Sequence, residues 1–289
     1  MLFNYQLVLS LSILLSFTSE ISAKQNVFEN QDTLHIKASD KAEHLLNEKK
    51  YSELAEFCKK EITKNLNQKV KDSSEISWLN YYHFEAQSHF GDYLESLKSA
   101  EQGIQYCKNN DEGLQQKAIL FYKKAYTEKV LNFPKRSFTS MEMSSRLLSQ
   151  LEEPNFDYAI GAYNFLSQEA AYHGDLEKAQ RYLRLSEKLY LENKDLADNA
   201  RAETDGNDRY EVIIPYKNIY VLYKLGQTTS DSLQIESNIK TLIELEKQPE
   251  FSPKYESIYY STALNHVGSW YLTHKPEDSL TAIDFQKAN

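Results

Sequence analysis

The sequence predicts an all-α solenoid of about six antiparallel helix pairs, and three observations carry this prediction. First, a helix–turn–helix unit recurs about every 41 residues through the first four units, and a fixed period of this length is typical of a solenoid. Second, apolar residues in each unit follow helical spacing. Third, the chain has only 8 Gly and 6 Pro, too few for the many turns of a β architecture.

The clearest unit is Ala162–Tyr190, in which two helical segments flank the turn Gly174-Asp175-Leu176. Leu176, Ala179 and Leu183 form part of one apolar stripe in the second segment, as expected for an amphipathic helix. The other predicted turns lie at Lys49-Lys50-Tyr51, Gly91-Asp92-Tyr93, Asn132-Phe133-Pro134, Gly226 and Lys275-Pro276.

The N-terminus predicts export. Leu7–Phe17 is an apolar run of 11 residues, too short to span a bilayer comfortably and typical of a signal-peptide core. Ala23 offers a cleavage site, so we expect residues 1–23 to be a signal peptide and the mature protein to be periplasmic or secreted. An uncleaved anchor and a buried apolar helix are the alternatives. No later segment is apolar enough to predict a stable membrane span.

The remaining chain divides by its repeats. Residues 24–32 form an N-terminal linker, 33–192 contain repeat units one to four, 193–209 form a polar connection, and 210–289 contain units five and six. The connection includes Asp205-Gly206-Asn207-Asp208, which has some features of a calcium loop. An EF-hand requires a Glu six residues after its Gly, and Val212 stands there, so a solvated turn is the better interpretation.

Composition and motifs argue against several functions. The net charge is −9 without a Lys/Arg cluster, which disfavours nucleic acid as a partner. No recognisable catalytic motif is present, so we expect neither an enzyme nor a cofactor. Cys58 and Cys107 are predicted to be buried free thiols. His89, His173 and His274 each lie just before a turn, which indicates a repeat position rather than a metal site.

Small residues at fixed offsets from the turns suggest closely packed helices. Leu264, Val267, Gly268 and Tyr271 resemble the first-helix pattern of tetratricopeptide repeats, and Asp175–Ala179 resembles the start of their second helix. The resemblance covers about residues 33–289, with a period near 41 residues instead of the family's 34, as in the longer variants of bacterial regulatory and sensory proteins. It implies a right-handed solenoid whose first helices line a concave groove. The small residues are Ala125, Ser167 and Gly268 before the turns, and Ser96, Ser137, Ala179, Gly103, Ser144 and Ser186 after them.

The resemblance also implies which side chains face the groove. Tyr122, Tyr126, Tyr216 and Tyr220 share a register, and we expect at least half of them to be solvent-accessible, although packing between helices is an alternative for each. The Lys and Asn of the family's clamp for acidic chaperone tails are missing from the matching positions. The predicted binding residues are Trp78, Tyr81, Glu85, His89, Tyr122, Tyr126, Lys129, Asn164, Gln168, Tyr172, Tyr216, Tyr220 and Tyr223.

These observations predict a non-enzymatic, exported module that binds a peptide or protein in a Tyr-lined groove. One alternative is the N-terminal sensory part of a larger or truncated bacterial signalling protein, such as a histidine kinase, a DNA-binding regulator or a caspase-like protease. Another is a helical enzyme without a recognisable motif. The last predicted helix begins near Asp278 and carries Leu280, Ile283 and Phe285, which suggests a partner or a second copy at the C-terminal repeat.

Overall fold

The computed structural model describes residues 37–203, 210–225, 229–246 and 265–270, and their regular secondary structure is entirely helical. Helices that follow one another along the chain pack against each other, so the predicted all-α solenoid is confirmed. The helices are α1 (Ala38–Asn47), α2 (Tyr51–Leu66), α3 (Ser73–His89), α4 (Tyr93–Tyr106), α5 (Asp111–Val130), α6 (Pro134–Leu148), α7 (Phe156–Tyr172), α8 (Leu176–Glu192), α9 (Lys194–Glu203), α10 (Tyr210–Leu225) and α11 (Thr229–Glu246), and residues 265–270 are also helical.

The turn inside each of the first four units has the same geometry. Lys49, Gly91, Asn132 and Gly174 all adopt a left-handed conformation, with φ of 58°, 75°, 60° and 80°. In each turn this residue donates its N–H to the carbonyl three residues earlier, and the next residue donates to the carbonyl five residues earlier. These bonds satisfy the last carbonyls of the preceding helix in a Schellman motif. The four predicted turns are therefore confirmed.

The helices form two layers. The first helices of the units (α1, α3, α5, α7 and α10) each contact the next first helix along the solenoid. The second helices (α2, α4, α6 and α8) pack between their own first helix and the first helix of the following unit. Because the first helices are the ones that approach each other directly, we assign them to the inner, concave side.

Small residues bring the two helices of a unit close together. The Ser137 Oγ on α6 donates to the backbone carbonyl of Ala125 on α5 at 2.8 Å, and both residues are buried. A Cβ added to Gly103 on α4 would lie 3.2 Å from Cβ of Asn80 on α3, the first helix of the same unit, and 2.9 Å from Cδ1 of Leu120 on α5, closer than packed carbon atoms approach. The predicted close packing at these positions is confirmed, and the serine hydroxyl adds a hydrogen bond to it.

The connection between units four and five contains a helix that was not predicted from the sequence. Helix α9 packs against α7 and α8. Ala197 on α9 is fully buried in a cluster with Tyr190, Tyr210 and Ile213. The segment is polar overall, but its Ala, Leu, Arg and Glu residues favour a helix once this one apolar contact is available. Residues 194–203 are thus part of the packed solenoid.

Further predictions concern the two cysteines, a membrane span and segments that the structure does not describe. Cys58 and Cys107 are both free thiols; Cys58 is buried as predicted, whereas Cys107 is only half-buried. Burial raises the pKa of Cys58 to about 12, which leaves it a protonated core residue. No helix among the described residues is long and apolar enough to cross a membrane. The signal peptide and linker, the turns at Gly226 and Lys275-Pro276, the loop at 205–208 and the helix from Asp278 lie outside the described residues.

Candidate functional site

A groove of about 830 Å³ lies on the inner side of the first four units. We call it the inner groove. Its lining comes from first helices α1, α3, α5 and α7 and from residues that flank α1. This groove combines aromatic rings with charged groups, namely Tyr51, Trp78, Tyr81, Tyr82 and Tyr158 together with Asp40, Glu43, Glu85, Glu112, Lys37, Lys49 and Lys123.

One contact between neighbouring first helices recurs along the inner face. Positions are counted back from the turn residues Lys49, Gly91, Asn132 and Gly174 and from Gly226 at the predicted turn of unit five. The contact joins the sixth position before the turn in one unit to the ninth position before the turn in the next unit. Both positions lie on the same side of their helices, and the contact links each unit to its successor. The pairs at these positions are Glu43/Tyr82, Glu85/Lys123, Tyr126/Phe165 and Gln168/Lys217. The last three are in direct contact, whereas in the first the charge of Glu43 acts on the Tyr82 hydroxyl.

The second of these pairs is an ion pair within the inner groove. The Glu85 carboxylate and the Lys123 ammonium are 3.0 Å apart, and both side chains are largely buried. Burial acts to lower the pKa of Lys123, but the Glu85 carboxylate and the Tyr158 hydroxyl outweigh it, so this pKa lies above its ordinary value. Burial and Glu85 together hold the pKa of Tyr81 well above its ordinary value. Near neutral pH, Lys123 therefore stays positively charged and Tyr81 stays neutral.

Aromatic residues continue the inner face beyond this ion pair. The hydroxyl of Tyr122 donates to that of Tyr126 at 3.4 Å, and the Tyr122 ring packs edge-on against Tyr158 at 5.0 Å between centroids. A Cβ on Gly161 would lie 2.6 Å from the Tyr122 hydroxyl, so any other residue at this position would displace the Tyr122 ring. Tyr126 packs edge-on against Phe165 and remains 43% exposed. The exposed edge of the Tyr126 ring is therefore available for contact with a ligand, and Tyr122 and Phe165 hold the ring in place.

Two lysines, Lys129 and Lys217, lie on the inner face where units three, four and five meet. The Lys129 ammonium lies 2.6 Å from the Glu169 carboxylate and 4.9 Å from the centre of the Phe165 ring. Lys217 is buried and donates to the side-chain oxygen of Gln168. Burial and the nearby positive charge of Lys129 lower the pKa of Lys217 to about 7, with Glu169 opposing the shift.

The predicted binding residues differ in their exposure. Most of those whose side chains are described are at least partly exposed, and Trp78, Tyr81 and Glu85 line the inner groove. Among the four tyrosines of the shared register, Tyr126 is exposed and Tyr122 and Tyr220 are half-buried, while the Tyr216 side chain is outside the description. His89, Lys129 and Tyr172 are exposed, Trp78, Tyr81, Glu85 and Gln168 are half-buried, and the Tyr223 side chain is also outside the description.

Asn164 does not belong to this open surface. It is only 5% exposed, and its side-chain oxygen accepts a hydrogen bond from the Ser186 Oγ at 2.9 Å. The residue therefore ties α7 to α8 inside unit four. The sequence register placed it on the exposed stripe because helical offset alone does not distinguish a groove position from one that faces the second helix.

Comparisons with known proteins support this architecture. No protein-family model matches the chain, and no curated protein matches it in sequence. Solved structures do match. BtubC (BKLC) from P. vanneervenii is 12% identical, covers 73% of this chain and 82% of its own, and superposes with a TM-score of 0.51. A Podosopora anserina protein assigned as a kinesin light chain, with nearly identical TPR-like repeats, is 11% identical, covers 73% and 96%, and has a TM-score of 0.52.

The fold is that of a tetratricopeptide-like repeat protein. A variant of the Podosopora anserina protein gives the same result, with 10% identity, coverage of 73% and 95%, and a TM-score of 0.52. Identity this low relates the folds alone.

The sequence analysis missed several residues of this tetratricopeptide-like inner face. Lys123 and Lys217 stand nine positions before their turns, and Tyr158 lies near the start of α7. The predicted stripe omitted the ninth position because it was assigned from single helices. The contact between successive units becomes visible in sequence only when residues separated by a full repeat are compared.

Proposed function

We propose that this tetratricopeptide-like protein acts by binding and holds an extended peptide or protein segment along its inner face. The observation that carries the proposal is the inner groove, where the half-buried rings of Trp78 and Tyr81 on α3 and the buried ring of Tyr158 on α7 line one furrow together with charged side chains of α1 and α5. Trp78 and Tyr81 supply rigid, amphipathic faces at low cost in side-chain entropy, which favours them as binding anchors.

The contacts between units support the same proposal. Trp78 packs edge-on against Tyr81 at 5.8 Å and stacks on Tyr82 at 6.1 Å, so the aromatic floor is ordered before any ligand arrives. The Glu85–Lys123 ion pair fixes the spacing between α3 and α5. A surface that is already ordered loses less entropy on binding, and this preorganisation favours affinity.

Selection from a display library of random peptides about 15 residues long tests the proposed function. We expect the protein to retain a set of peptides. Trp78→Ala and Tyr126→Ala should each weaken their binding by about tenfold or more, because each removes an aromatic contact on the inner face. Fluorescence polarisation with labelled copies of the retained peptides provides the measurement.

Leu191→Ala is the matched control for these variants. Leu191 is 69% exposed on the second helix α8, so its loss should leave peptide affinity within about twofold. If Leu191→Ala weakens binding as much as the inner-face variants do, the ligand does not lie on the first helices. If no peptide is retained, the proposed function is wrong.

We also propose that the protein is exported and that cleavage after Ala23 releases the mature chain. The support is the apolar run Leu7–Phe17 followed by small residues near Ala23. N-terminal sequencing of protein from its native host should therefore find Lys24 or a residue near it at the amino end. An intact Met1 on protein from the cytoplasmic fraction would contradict this proposal.

A further inference from the structure

At the first junction between units, the sixth-position carboxylate has no lysine at the position opposite it. In units two and three the sixth-position acid and the ninth-position lysine pair as Glu85 and Lys123. Unit one has the same acid, Glu43, but the ninth position of unit two is Tyr82. Glu43 acts electrostatically on this tyrosine, and among the described residues no Lys, Arg or His lies within ion-pair distance of it.

A second carboxylate and two aromatic rings surround the same position. Asp40 lies one helical turn before Glu43 on α1, lines the inner groove, and also acts on Tyr82. The Trp78 ring stacks on the Tyr82 ring, and both line the groove beside these acids. Lys37 and Lys49 also line the groove. They lie outside α1, one before its start and one after its end, whereas Asp40 and Glu43 lie within the helix.

Carboxylates beside aromatic rings favour a cation in two ways. The carboxylates attract it and accept charge-assisted hydrogen bonds from it. The faces of Trp and Tyr rings attract it through their quadrupoles, most strongly for Trp. An anionic group at this position would be repelled by Asp40 and Glu43 and would gain little from the rings.

We propose that the α1–α3 end of the inner groove, formed by Asp40, Glu43 and the Trp78 ring that stacks on the buried Tyr82, binds a Lys or Arg side chain of the ligand peptide. This inference rests on the proposed function and specifies the chemistry of its ligand. The bound side chain supplies to Glu43 the positive charge that Lys123 supplies to Glu85 one unit later. Arg fits better than Lys where it stacks on Trp78, because the planar guanidinium lies flat on an aromatic face.

The test compares peptides retained by the wild-type protein with those retained by Glu43→Lys, selected from the same random-peptide library. Wild-type protein should retain peptides enriched in Lys or Arg at one position. Glu43→Lys should bind those peptides at least about tenfold more weakly, because a like charge then faces the ligand. In its own selection, Glu43→Lys should lose this enrichment and favour Asp or Glu at the same position.

Glu56→Lys is the control because it makes the same charge change on α2, where Glu56 is exposed and does not line the groove. It should leave affinity within about twofold, and circular dichroism should give both variants the wild-type spectrum. Retained peptides without Lys or Arg enrichment, or equal affinity for wild-type and Glu43→Lys, would overturn the cation site while leaving peptide binding intact. Retention of no peptide at all would overturn the proposed function together with it.

Discussion

Leu166→Ala should destabilise the protein by about 3 kcal/mol, because the substitution removes a fully buried side chain and leaves a cavity in a packed core. Leu166 is 0% exposed and lies among Ala125, Met141, Ala162 and Tyr182, which come from α5, α6, α7 and α8. The same side chain therefore supports units three and four together. Urea denaturation followed by circular dichroism measures the change in the free energy of unfolding.

Leu185→Ala is the matched control for this prediction. Leu185 is on the adjacent helix α8 and is 40% exposed, so truncating it should cost less than about 1 kcal/mol. Hydrogen exchange should also locate the loss caused by Leu166→Ala in α5 to α8, since each unit of a solenoid is stabilised mainly by its neighbours. Equal destabilisation by the two variants would show that the packing described around Leu166 is wrong.

Lys217→Met should change how stability depends on pH. The pKa of Lys217 in the folded protein is lowered to about 7 by burial and by Lys129, against an ordinary value of 10.5. Between these two values the unfolded chain binds more protons at this position than the folded protein does. Wild-type stability should therefore rise as the pH increases from about 7 to 10.5, and this gain in stability is lost again as the pH falls toward 7.

The variant removes this dependence because methionine has no charge to lose on burial. At about pH 7, Lys217→Met should be more stable than wild type, and the difference should shrink by on the order of 3 kcal/mol by about pH 9.5. Measuring below about pH 10 avoids ionisation of tyrosines in the unfolded chain. Lys60→Met, a substitution of an exposed lysine on α2, should follow the wild-type curve. If stability depends on pH in the same way for wild type and Lys217→Met, the lowered pKa of the buried Lys217 is contradicted.

The turns were predictable from sequence because their chemistry is local. Gly91 and Gly174 supply the left-handed conformation without steric cost, and the period then identifies Lys49 and Asn132 as equivalent residues. The small residues at fixed offsets, such as Ser137, were predictable for the same reason. Helix α9 was missed because its stability depends on the burial of Ala197 against residues distant in sequence, including Tyr210.

The groove was only partly predictable. Helical register correctly identified Trp78, Tyr81 and Glu85 as neighbours on α3, since their spacing fixes a common face. It failed for Asn164, because the packing of α8 decides which flank of α7 is covered. Lys123 and Lys217 were missed because their roles depend on residues one full unit away, and a single helix contains no information about its neighbour.

Photo-crosslinking tests the central claim most directly. A peptide retained from the display library, synthesised with a benzoylphenylalanine at successive positions, is irradiated on the wild-type protein, and mass spectrometry identifies the attached residues. We predict attachment to the first helices, within residues 78–89 of α3, 122–129 of α5 and neighbouring positions of α7, in an order that follows the peptide sequence. Attachment mainly to the second helices α4, α6 and α8 would contradict an inner, ligand-binding face.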